Sequence, residues 1–184
     1  MSEAINEATL REARDGPVES LYGDYIGLLE DLSDRSPSGL AALNRSFHKV
    51  VLIAAASNLE ARVKRTVRDL FETEGRFELG TFVDKAVMAR SYHTLFSWND
   101  GKATGFFTSF GDACSERFKQ RLKNDEVFRT EHDAFMRLGS LRNQLVHQDY
   151  ATFTLETTPE ELIGLYRYAI QFPERFEGII FEPS

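Results

Sequence analysis

The stretch Leu40–Glu74, LAALNRSFHKVVLIAAASNLEARVKRTVRDLFETE, decides the fold, and no proline or glycine interrupts it. Leu40, Leu43, Phe47, Val50, Val51, Ala54, Leu59, Val63, Val67 and Leu70 keep close to steps of three and four, the period of one helix face. The spacing predicts one long helix, with Gly75 as its C-cap. Ala54-Ala55-Ala56-Ser57 is small on all sides, so a second helix can approach closely there.

On the N-terminal side, Gly16-Pro17 breaks the chain and leaves residues 1–17 as a peripheral or frayed segment. From Val18 to Ser33, Leu21, Tyr22, Tyr25, Leu28, Leu29 and Leu32 mark a second amphipathic helix, again by spacing. Ser36-Pro37-Ser38-Gly39 reads as a loop with a helix start. On the C-terminal side a short helix is expected over Thr81–Tyr92, and a turn at Trp98-Asn99-Asp100-Gly101. One or two short helices should fill Gly105–Lys123, broken near Gly111. Asp125 to about Gln148 is the next long helix, with Val127, Phe128, Phe135, Leu138, Leu141, Leu145 and Val146 on its apolar side. Ala151–Leu155 alternates, but one lone short strand has no partner to pair with, so it reads as an extended connector. Thr158-Pro159-Glu160-Glu161 starts a last helix: Thr at the N-cap, Pro at N1, carboxylates at the positive end. That helix should reach about Phe172, where Pro173 ends or kinks it. The sum is an all-α bundle of five to seven helices, one domain over residues 1–184.

Composition narrows the function. At 184 residues a folded chain hides roughly 70% of its unfolded surface, so a core needs no staples. The lone Cys114 permits no internal disulfide, which suits a reducing compartment. It is expected as a small buried or half-buried side chain. No apolar stretch approaches the ~20 residues of a membrane span. The opening MSEAINEATLREARDG is polar and unlike a signal peptide, so a cytoplasmic location is expected. The net charge of −7 argues against a protein that coats nucleic acid nonspecifically, because phosphate neutralisation needs surplus Lys and Arg. Locally basic runs remain at Arg62, Lys64, Arg65 and Arg68, and at Arg117, Lys119, Arg121 and Lys123. Each reads as a solvated face or as one side of a basic seam. No phosphate loop, dinucleotide fingerprint or zinc pattern is present. No cofactor or metal is therefore expected. His48, His93 and His132 lie far apart without ligand spacing. Trp98, Phe106, Phe107 and Phe110 read as core or as a base-stacking surface.

The one sharp chemical feature is Arg142-Asn143-Gln144-Leu145-Val146-His147. Asn143 and His147 are four apart, about 40° around a helix, so they share a face. Arg142 sits beside Asn143 on a long stem. Histidine exchanges protons near neutral pH. Arginine offers a planar charged fork that suits a phosphate. The set fits phosphodiester transfer without a metal. It also fits a capping or ion-paired arginine beside a satisfied bundle histidine.

The run RNQLVHQDY resembles the Arg-Asn-x-x-x-His signature of the HEPN superfamily, compact helical bundles that often act as ribonucleases. The likeness extends further. VVLIAAASNLEARVKRTVRDLF is similar to the second helix of branches close to the RiboL-PSP type, with Ser57 and Glu60 in place of a Ser-x-x-Glu-like element. FFTSFGDACSERFKQRL and DYATFTLETTPEELIGLYRYAIQF resemble that branch's Phe-Gly segment and its last connector and helix. The resemblance covers roughly Leu40 to Phe172. It implies a homodimer whose signature helices meet near a twofold axis, where a residue faces its own copy. It further implies RNA as the partner, cut by attack of the ribose 2′-hydroxyl. Arg142 would hold the phosphate, His147 would move a proton, and Asn143 would position one of them. Glu60 is a supporting residue that pairs with Arg142 across helices or with Lys64 one turn on. The setting implied is a toxin or antiviral defence effector, restrained by an antitoxin or a neighbouring defence protein. The acidic total charge supports the alternative of a non-catalytic module that binds RNA or protein. A purely structural dimerisation domain is a third reading, and it leaves the Arg-Asn-His set unused.

Overall fold

The computed structural model describes residues 16–72 and 77–181. The expected frayed segment before Gly16 and the cap at Gly75 lie outside them. Five helices exceed ten residues: α1 (Pro17–Ser33), α2 (Pro37–Phe71), α6 (Asp112–Asn124), α7 (Glu126–His147) and α8 (Pro159–Ala169). Short pieces join them: α3 (Phe77–Phe82), a π-helical turn (Val83–Met88), α4 (Ala89–Leu95), α5 (Thr104–Thr108), α9 (Gln171–Glu174) and α10 (Phe176–Phe181). No strand occurs among the described residues, and no helix there is long and apolar enough to cross a membrane. The chain is an all-α helical bundle.

α2 is the spine. Its 35 residues span about 52 Å, and it packs on α1, α7 and α8. Ser36 caps it by accepting from the Gly39 amide at 3.2 Å, with Pro37 in the first turn, as Ser-Pro predicts. Val51, Leu52, Ala55, Leu59, Val63 and Val67 form the buried stripe. The expected face is rotated slightly: Leu52 is inside, while Val50 is 41% exposed. α1 likewise buries Val18 and Tyr25 but leaves Leu28 outside. Two helices cannot cover a full apolar face of a third when each contact is a narrow seam.

The connectors follow local chemistry. Gly101 closes the 3-10 turn Trp98–Asp100 at φ 63, and Gly111 separates α5 from α6 at φ 103, both in the left-handed region that favours glycine. Thr158 and Glu161 form a reciprocal capping box at the start of α8. Residues 153–156 carry no regular structure, as expected for a connector. α8 ends at Ala169, earlier than expected. The missing N–H of Pro173 is accommodated by a break at Ile170 into α9, because proline tolerates only a first-turn position. The helix expected over Thr81–Tyr92 starts at Phe77, runs through the π-helical turn and ends at Leu95.

Phe96, Trp98, Phe106, Phe107, Phe118, Phe128, Phe135, Phe172 and Phe176 are all buried. Their ring centroids stand 4.4–6.3 Å apart in tilted, stacked and edge-on pairs, as ring quadrupoles prefer. Trp98, Phe106 and Phe107 are therefore core, which removes the base-stacking reading for them. Cys114 is buried, with its thiol toward the Ile179 carbonyl at 3.7 Å.

Candidate functional site

Three elements build the site: the middle of α2, the end of α4 with the turn behind it, and the second half of α7. They enclose a small cleft between Glu60, His93, Arg142 and Asn143, floored by Leu59, Tyr92, Trp98 and Phe135. Its enclosed volume is about 20 Å³, room for roughly one water. The cleft is a dent that meets one group of a larger ligand and cannot swallow a nucleotide.

The approach of α4 to α7 depends on Gly139. A methyl placed there would overlap the six-membered ring of Trp98. Glycine inside a helix costs about 1 kcal/mol against alanine, so its use here marks a packing need. The Trp98 Nε1–H donates to the His93 carbonyl at 3.0 Å. One ring thus ties the backbone of His93 to the turn of α7 just before Arg142. Beyond the site, the buried Lys49 donates to the Tyr150 carbonyl at 2.7 Å and lies 5.1 Å from that ring's centre, which fixes the chain as it leaves α7.

Arg142 is half-buried, and its Nη1 donates to Asn143 Oδ1 at 3.4 Å. It forms no ion pair among the described residues. A guanidinium drawn partly out of water without a counter-charge is costly, and its open fork is matched by an anion with two oxygens. Glu60 is the obvious partner across the cleft, yet it is taken elsewhere: Lys64 Nζ reaches Glu60 Oε1 at 2.6 Å, and His93 Nε2 stands 4.0 Å from Oε2. The Lys64 pairing is the i,i+4 contact that helix geometry favours. Ser57 is exposed and lies outside the cleft. His147, the last residue of α7, is exposed. Arg142, Asn143 and Glu60 line one cleft, whereas His147, which the spacing places on a face with Asn143, stands about one turn beyond and does not line it.

One residue was not legible as part of this group. His93 lies some fifty positions before Arg142 in the sequence, and only the fold brings it in. Partial burial and the positive charge of Arg142 hold its imidazole below the ordinary histidine value, against the upward pull of Glu60. Lys64 and His147 add smaller depressions. Burial, then the Glu60 carboxylate, raise the neighbouring Tyr92 phenol, which keeps it a neutral hydroxyl. Among the described residues no three His, Cys, Asp or Glu side chains gather as a metal site.

The helical bundle meets its counterpart in a family model. The RiboL-PSP-HEPN model matches residues 20–182. The chain belongs to the RiboL-PSP-HEPN family. No curated protein and no solved structure matches it. Membership in the RiboL-PSP-HEPN family covers nearly the whole described bundle, α1 included, which is more than the stretch from Leu40 to Phe172 that the sequence resemblance spanned. A RiboL-PSP-HEPN domain is at most a ribonuclease or an RNA-binding module, and in this one Arg142, Asn143, Glu60 and His93 line the cleft.

Proposed function

We propose that this chain is a metal-independent endoribonuclease that works as a homodimer, with RNA laid across paired clefts near the twofold axis. The observation that carries the reading is the half-buried Arg142, which forms no ion pair among the described residues and faces a cleft with an imidazole and a carboxamide on its walls. A scissile phosphate is the group that such a fork receives. Arg142 holds the phosphate oxygens and stabilises the charge that builds on them as the 2′-hydroxyl attacks. Asn143 accepts from Arg142 and keeps the guanidinium turned into the cleft. His147 moves a proton at the attacking or the leaving oxygen. Glu60 supports the site from α2. The small volume of the cleft, room for little more than one water, favours an open surface completed by a second copy. The setting proposed is a cytoplasmic toxin or antiviral effector, held in check by an antitoxin or a neighbouring defence protein.

The test is cleavage of single-stranded RNA by purified protein in EDTA, with His147→Ala beside it. The expected result is products carrying a 2′,3′-cyclic phosphate, and a rate about 100- to 10,000-fold lower for the variant. Equal cleavage by both proteins removes His147 from the chemistry. The net charge of −7 favours one other reading, a module that binds RNA or protein without cutting. RNA bound by wild type, released by Arg142→Ala and uncut over hours would establish that instead.

A further inference from the structure

The reaction just proposed needs one group to take a proton and another to give one, and His147, the histidine of the signature run, does not line the cleft of its own protomer. The imidazole on the cleft wall is His93. Its side chain is 49% exposed, so a substrate can reach it. Its Nε2 faces Glu60 Oε2 at 4.0 Å, and it shares the cleft walls with Arg142 and Asn143. Its main chain is held by Trp98, whose ring rests on α7 at Gly139.

We propose that His93 is the general base of this site, taking the 2′-hydroxyl proton while His147 protonates the departing 5′-oxygen and Glu60 steadies the His93 imidazole. The proposal rests on the ribonuclease reading above. The 2′-oxygen forms a bond to phosphorus as its proton passes to His93, and the bond from phosphorus to the 5′-oxygen breaks as His147 delivers a proton there. The products are a 2′,3′-cyclic phosphate and a 5′-hydroxyl. The groups facing His93 are Glu60 and Lys64 from α2, Arg142 and His147 from α7, and Tyr92 on its own helix. Burial and the cations favour the neutral, proton-accepting ring at neutral pH. Glu60 favours the imidazolium once the proton has arrived, as a carboxylate beside a catalytic imidazole does.

The experiment compares wild type, His93→Ala, His93→Gln and His147→Ala on single-stranded RNA and on a uridine 3′-(4-nitrophenyl phosphate), whose leaving group departs without a proton. Melting curves check that each variant folds. On RNA, both His93 variants should lose about 100- to 10,000-fold in kcat/KM and the acid limb of the pH profile, where the rate rises as a base deprotonates. On the aryl ester, His147→Ala should return to within about 10-fold of wild type, while the His93 variants stay impaired. Glu60→Gln removes the carboxylate that raises the His93 value, so its acid limb should move to lower pH. A folded His93 variant that cleaves RNA at the wild-type rate, or one rescued by the aryl ester, overturns the assignment and leaves the ribonuclease reading standing. A wild type that cleaves nothing ends both.

Discussion

Arg142 carries the sharpest residue-scale prediction. With no carboxylate partner among the described residues, its loss leaves no described charge stranded, so the effect should fall on function and spare stability. Arg142→Ala should lower kcat/KM on RNA by about 100-fold or more, in the range seen when one transition-state donor is removed. Arg142→Lys keeps the charge but loses the fork, and should recover only part of that. Steady-state kinetics beside melting temperatures measure both; a variant that melts far below wild type would show a structural arginine. His132 makes a separate prediction about pH. It is 3% exposed, between Phe118 and Phe172, with Nδ1 at 2.8 Å from Asp133 and Nε2 without a hydrogen-bond partner among the described residues. Burial holds its value below the ordinary one despite Asp133. Unfolded, the ring protonates near 6.5, so below that pH the unfolded chain binds the extra proton. The stabilisation is present above about pH 6.5 and is lost as pH falls toward the lower folded value. His48 and His93 share this sign. Melting at pH 8 and pH 5.5 should therefore show a smaller acid loss for His132→Leu than for wild type. Arg142 and Asn143 could be placed side by side from the sequence because helical spacing converts a short run into a shared face, while the same spacing did not tell that His147 ends the helix outside the cleft. His93 was not legible, because its place depends on a tryptophan seated on a glycine some forty residues away.

At the scale of elements, that Trp98–Gly139 contact is the joint on which the site turns. Gly139→Ala would normally help a helix by about 1 kcal/mol. Here the added methyl must displace the indole, and overpacking of this kind costs roughly 1–3 kcal/mol. The expected result is a lower melting temperature together with reduced RNA cleavage, because His93 and Arg142 lose their common support. Trp98→Leu in the same background should recover stability without recovering activity. A Gly139→Ala protein more stable than wild type would mean that the ring moves aside freely. The long helices were legible from period and caps: Ser36-Pro37, Asp125 and Thr158-Pro159 start helices where their chemistry says they must. The rotation of the buried face was less so. Val50 and Leu52 differ only in which neighbour α2 meets at that level, and a single-helix pattern holds no record of its neighbours. The π-helical turn at Val83–Met88 has no local residue signal, since it shifts register through an otherwise helical run.

At the scale of the whole molecule, the proposal that two copies complete the site makes the association state part of the chemistry. The exposed end of α7 presents Val146, 43% exposed, and Tyr150, 49% exposed, on either side of His147. Single exposed apolar residues are ordinary, but these flank the histidine that the twofold axis would double. A residue near such an axis faces its own copy, so a charge placed there is repelled by itself. Val146→Glu should shift the protein from dimer toward monomer in sedimentation equilibrium, and RNA cleavage should fall with the dimer fraction. Val127 is the control. It is 50% exposed on the same helix, nineteen residues and thus about 28 Å toward the other end, so Val127→Glu should leave both readouts unchanged. Cleavage per protomer should also drop on dilution through the dimer dissociation constant, and it should recover on reconcentration. If Val146→Glu is a monomer that cuts at the wild-type rate, one protomer carries a complete site. Arg142, His93 and His147 of a single chain must then suffice, and the open face of the cleft must be closed by the RNA itself.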